Sequence, residues 1–144
     1  MLRKLSWYVF LIVGIVIGFG AFGHGYSAVK VHEAIDQFPI AQPIYEALFV
    51  VWYMTSGVML AFGTMIVWIS LRLKAGDVSS LFVAYVIGVL YFVFGVAALV
   101  YRHGDPFWVL FIVLGALLVG TSMVLGRNQT HADPARLVDQ GIKL

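Results

Sequence analysis

Residues 81–101 read LFVAYVIGVLYFVFGVAALVY, with no Asp, Glu, Lys, Arg or His among them. As a helix rising about 1.5 Å per residue, such a run extends roughly 30 Å. That is the thickness of a bilayer's hydrocarbon core. Three more uncharged runs flank it, at about 7–23, 47–71 and 107–126. The chain therefore reads as all-α: a polytopic membrane protein, with four transmembrane helices in an antiparallel bundle over residues 1–126. A short tail, 127–144, follows.

Composition agrees. Hydrophobic residues make up 62% of the chain and charged residues 11%, against about 25% charged in soluble domains. Cysteine is absent, which excludes disulfides, thiol catalysis and thiolate metal sites. The net charge is only +2, so the basic residues are explained by membrane topology and not by nucleic acid. Arg3, Lys4, Arg72, Lys74, Arg127, Arg136 and Lys143 fall on one side of a four-span layout, and only Lys30 and Arg102 on the other. The positive-inside rule then puts both termini and the 72–80 loop in the cytoplasm of a bacterial-type inner membrane. Met1-Leu2-Arg3-Lys4 also resembles the start of a signal peptide. Phe19 and Phe22 break up the small residues a peptidase needs, so the first run is expected to remain as a span.

The spans carry small residues at helical spacing. These are Gly14, Gly18, Gly20, Gly23 and Gly25 in the first, Gly57, Ala61 and Thr64 in the second, Ala84, Gly88 and Gly95 in the third, and Gly115, Ala116 and Gly120 in the fourth. Such faces let helix backbones approach in lipid, where packing and not hydrophobicity drives association. Trp7, Trp52, Trp68 and Trp108 fall near span ends, as an aromatic belt requires.

The connections differ in kind. Lys74-Ala75-Gly76-Asp77 is a tight turn, with Gly76 suited to ending a helix. In Arg102-His103-Gly104-Asp105-Pro106, Asp105 suits a helix cap and Pro106 a first helical position. These short turns predict that spans two, three and four pack in sequence. The stretch from His24 to Glu46 is long. Residues 26–35 are expected to be helical, either continuing span one or following a glycine break, and Pro39 and Pro43 to end any helix there. Its apolar content predicts an ordered first extracytoplasmic loop. In the tail, Asp133, Pro134 and Gly141 mark a short helix, His131 reads as solvated, and the sequon Asn128-Gln129-Thr130 is inert on the cytoplasmic side.

Chemistry-bearing residues gather outside the spans. His24, His32 and His103 all fall on the outer side, with Glu33, Asp36, Glu46 and Asp105. His24, His32, Glu33, Asp36 and His103 are the candidate ligands for a divalent metal, the only cofactor the sequence suggests. Tyr26, Trp52 and Tyr53 are the candidate lining for an apolar ligand. Ordinary roles compete: His32 and Asp36 form an i,i+4 surface pair, and His103 closes a helix where the dipole favours a cation. On one straight helix His24 and His32 would stand about 12 Å apart, so shared ligation requires a break near Gly23 or Gly25. Bis-histidine haem would have only His24 and His103 available, both at one membrane surface.

Uncharged spans lack the usual mark of an ion path or proton relay. The pattern favours a non-catalytic binding or accessory protein in the lipid bilayer, self-associated or joined to a partner membrane subunit. The alternative is a membrane enzyme or a metal- or lipophilic-ligand-binding protein using the outer cluster. A small-solute transporter, acting as an oligomer, is the less favoured third reading. In length, span count and loop placement the chain resembles small bacterial four-span proteins such as the DoxX-like group. That likeness of layout implies a four-span architecture and no particular activity.

Overall fold

The computed structural model describes residues 2–130, all of whose regular elements are helical. Helix α1 spans Leu2–Ile35, α2 Gln42–Lys74, α3 Leu81–Tyr101 and α4 Val109–Thr130, with a 3-10 turn at Pro106–Trp108 leading into α4. Four helical segments are long and apolar enough to cross a membrane: Leu5–Ile35, Gln42–Lys74, Leu81–Tyr101 and Pro106–Arg127. The tail helix expected at Asp133 and the solvated His131 lie outside the described residues.

Helix boundaries depart from the apolar runs at several ends. Helix α1 passes through Gly23 and Gly25 unbroken and ends at Ile35. His24 ends the uncharged run but not the helix, which carries on through Lys30 and Glu33, both good helix formers. Helix α2 begins at Gln42, five residues before the apolar run. Pro43 was expected to end a helix and instead lies in the first turn of one. There its missing N–H breaks no helical bond and its fixed φ suits the helix. Pro39 stays in the connection, as expected, and only residues 36–41 separate α1 from α2.

The chain divides into two compact units, each containing a helical hairpin. The first runs from Trp7 to Lys74. Its register can be followed along its length. Ser70 Oγ donates to the Trp7 carbonyl at 2.9 Å. Gly14 lies against Val67 and Gly63, Gly18 against Gly63, and Gly20 against Met59. His24 meets Ser56 and Trp52, and His32 meets Tyr45. Partners on α2 run backwards as α1 runs forwards, so the pair is antiparallel. The closest approach is backbone on backbone: a Cβ added at Gly63 would lie 2.5 Å from Gly18 N, and one at Gly14 2.8 Å from Val67 N. Gly63 was not among the small residues singled out in the sequence.

The second hairpin pairs α3 with α4. A Cβ at Gly115 would fall 2.4 Å from Phe92 N, one at Gly88 2.8 Å from Leu118 Cβ, and one at Gly95 2.8 Å from Ile112 N. Tyr91 stacks on Phe111, with ring centroids 5.7 Å apart, and Trp108 packs against both Phe94 and Phe111. The turn between the helices is closed by two bonds, Gly104 N–H to Leu99 O at 2.9 Å and His103 N–H to Val100 O at 3.2 Å. This is the Schellman arrangement. His103 occupies the left-handed position, with φ 53°, that glycine usually fills, and Gly104 follows at φ 89°. Asp105 then accepts from Phe107 N–H at 3.1 Å, the cap expected of it, here on the 3-10 turn.

Candidate functional site

The closed end of the first hairpin, where the chain turns from α1 into α2, holds most of the chemistry-bearing residues. They form two clusters on successive parts of α1, each completed by α2.

The first cluster is His24, Trp52 and Ser56. The His24 and Trp52 rings stack with centroids 4.7 Å apart. Trp52 Nε1–H donates to the His24 carbonyl at 2.8 Å, and Ser27 Oγ donates to the same oxygen at 2.6 Å. His24 Nδ1 lies 2.9 Å from Ser56 Oγ, which lies 3.2 Å from the Trp52 carbonyl. A hydroxyl carries one proton. That proton serves either the Trp52 carbonyl or His24 Nδ1, and in both settings Ser56 ties the His24 ring to α2.

The second cluster is His32, Asp36 and Tyr45, with Phe49 beside them. His32 and Asp36 are four apart on α1, and His32 Nε2 lies 3.7 Å from Asp36 Oδ2. From the first turns of α2, Tyr45 brings its hydroxyl onto His32 Nδ1, 3.3 Å from His32 Nε2 and 3.3 Å from Asp36 Oδ1. Phe49 meets the His32 ring edge-on with centroids 5.4 Å apart, and packs on Tyr45 at 4.9 Å.

The remaining candidates are scattered. Because α1 is continuous, His24 and His32 lie about 12 Å apart along its axis and keep separate partners. Glu33 is the exposed neighbour of His32, and its carbonyl accepts from Gln37 at 3.4 Å. Glu46 accepts from Gln42 at 2.9 Å, an ordinary pair one turn apart. Tyr26 and Tyr53 are exposed, while Trp52 is half-buried under His24. His103 belongs to the α3–α4 turn of the other unit. Among the described residues, no group of three or more His, Asp or Glu side chains gathers to hold a metal ion.

Two participants escaped the sequence reading as site residues. Tyr45 looked like part of an aromatic belt, because α2 was expected to start after it. Ser56 reads in the sequence as one of the deeper hydroxyls, able to touch a ligand but more often bonding a carbonyl one turn back or reaching a neighbouring helix. At the opposite end of this hairpin, basic and aromatic residues pair instead. Lys74 Nζ lies 5.0 Å from the Trp7 ring centroid, and Arg72 Cζ lies 4.8 Å from that of Trp68.

The chain matches no known family model, no curated protein and no solved structure.

Proposed function

We propose that this chain is a multi-pass inner-membrane protein of binding or accessory type, whose α2 helix docks against a partner helix in the bilayer. One observation carries the reading. Gly14, Gly18 and Gly63 are used up inside the first hairpin, and Gly88, Gly95 and Gly115 inside the second. Gly57, Ala61 and Thr64 share another face of α2 and remain exposed. A Cβ at Gly57 would meet nothing within 4 Å. Thr64 satisfies its hydroxyl on the Leu60 carbonyl at 2.8 Å. In lipid, a small-residue face is where another helix backbone comes close. The partner is a second copy or a subunit of a larger membrane complex.

Both termini lie in the cytoplasm. Seven of the nine Lys and Arg fall on that side, and the indole contacts of Arg72 and Lys74 suit a membrane–water interface. The first extracytoplasmic loop is short and ordered. Its backbone bonds support this: Asp36 N–H to His32 O, Phe38 N–H to Ile35 O and Ile40 N–H to Phe38 O. The DoxX-like layout fits this architecture and brings no activity with it.

The test is association in the native membrane. Gly57→Leu with Ala61→Leu should shift the protein from a larger species to its monomer mass after gentle solubilisation. An unchanged assembly would remove the α2 face from the reading. A second reading, a metal- or lipophilic-ligand-binding protein or a membrane enzyme, is favoured by the hydrogen-bonded histidines at the closed end of the first hairpin.

A further inference from the structure

We propose that the open end of the first hairpin, where Lys74 lies over the Trp7 ring and Arg72 over that of Trp68, selects anionic phospholipid headgroups. The proposal rests on the membrane reading of the chain and is independent of the partner helix assigned to the α2 face.

Charge is divided along this hairpin. Within Trp7–Lys74 the acidic residues are Glu33, Asp36 and Glu46, all near the closed end. The open end carries Arg72 and Lys74 in the last turn of α2. Asp77, the next acid along the chain, accepts from Ser79 N–H at 2.8 Å.

A cation in the last turn of a helix is ordinary, since the dipole favours it there. The dipole does not place the Lys74 ammonium 5.0 Å from the centroid of an indole on the other helix. The Ser70 bond to the Trp7 carbonyl holds that register, and Tyr8 stacks on Trp7 with centroids 3.7 Å apart. Arg72 Cζ lies 4.8 Å from the centroid of Trp68, one turn back on its own helix. Residues 72 and 74 are roughly 200° apart around α2, so the two cations serve opposite flanks of its end.

Each indole covers one side of its cation. An ammonium has three donors and a guanidinium five, more than a ring face takes up. Tyr8, Trp68 and Lys74 are exposed, and Trp7 and Arg72 half-buried. Indoles settle at headgroup level, which sets both cations at the depth of lipid phosphate, where charge-assisted bonds are strong. Holding a long side chain on a ring also removes rotamer freedom before a lipid arrives. A zwitterionic headgroup brings its own cation to compete, and an anionic one does not. Each cation near an anionic surface contributes about a fivefold preference.

The experiment uses the full chain carrying Trp52→Phe and Trp108→Phe, so that Trp7 and Trp68 report. It is placed in vesicles of phosphatidylcholine and phosphatidylglycerol in equal parts. Bromine, which quenches indole fluorescence on contact, is carried on the acyl chains of one lipid or of the other. Phosphatidylglycerol should show a several-fold preference as the quenching lipid. Arg72→Gln with Lys74→Gln should remove that preference while helical circular dichroism stays unchanged. Lys30→Gln, at the opposite end, should keep it. Equal quenching by the two lipids would overturn the proposal and leave the membrane reading standing, whereas no quenching by either would overturn both. A preference that survives the double substitution would also overturn the proposal. So would one that inorganic phosphate abolishes where chloride of equal ionic strength does not, since the cations would then serve a free anion.

Discussion

Gly63 faces Gly18 across the first hairpin with no space for a side chain, since a Cβ at Gly63 would lie 2.5 Å from the Gly18 nitrogen. Both groups are backbone, so neither can rotate away. Gly63→Ala should therefore force the helices apart and lower stability by about 1–3 kcal/mol, the usual cost of overpacking. Gly57→Ala and Gly120→Ala, where a Cβ meets nothing within 4 Å, should leave the monomer's stability unchanged or slightly raised. Thermal unfolding of the purified variants in one detergent would decide it. Equal effects at Gly63 and Gly57 would mean that the backbone contact is not what holds the hairpin.

The α3–α4 turn makes a prediction of opposite sign. His103 sits at φ 53°, a conformation that costs an ordinary L-residue about 1–2 kcal/mol and glycine nothing. His103→Gly should stabilise the second hairpin by several tenths of a kcal/mol, net of the added freedom of the unfolded chain. A drop in the unfolding midpoint would show that the imidazole makes a contribution beyond closing the helix.

Polar groups in the first hairpin should behave as small, separable terms. Ser70 is fully buried and bonds the Trp7 carbonyl. Hydrogen bonds between membrane helices average about 0.6 kcal/mol. Ser70→Ala should cost about that, measured as a shift in the unfolding transition. A loss several times larger would show that Ser70 supports more than one bond.

Orientation gives a test with a binary readout. The chain has no cysteine, so a single introduced thiol is unambiguous. A cysteine at Ser79 should be protected from an impermeant thiol reagent added to intact cells. Cysteines at Ala41 and Gly104 should react with it. Labelling of Ser79→Cys in intact cells would invert the proposed topology.

Much of the architecture was legible because hydropathy and turn chemistry agreed. For α3, the apolar run and the helix share the bounds 81–101, since Ser80 and Arg102 mark both the polar flank and the helix end. The ends of α1 and α2 facing their connection were not legible. An apolar run reports where lipid would suit the chain, whereas a helix continues while its backbone bonds can form. Thus α1 runs on through Lys30 and Glu33, and Pro43 opens a helix where it was expected to close one. The site followed the same division. The His32–Asp36 pair could be read from spacing, because four residues return to one helix face. Tyr45 could not, because its place opposite His32 depends on where α2 begins. Nor could the His24–Ser56 bond, which joins residues 32 positions apart and depends on the interhelical register.

The most direct test of the account is disulfide crosslinking in the native membrane with one cysteine at a time on α2 and α3. Gly57→Cys and Ala61→Cys, on the face proposed to dock, should give a discrete crosslinked species: a disulfide dimer if the partner is a second copy, or an adduct under a thiol-to-amine crosslinker if it is another subunit. Phe82→Cys, at a highly exposed position on α3, should give none. Equal crosslinking at all three positions, or none at Gly57 and Ala61 with either chemistry, would contradict a partner helix on that face.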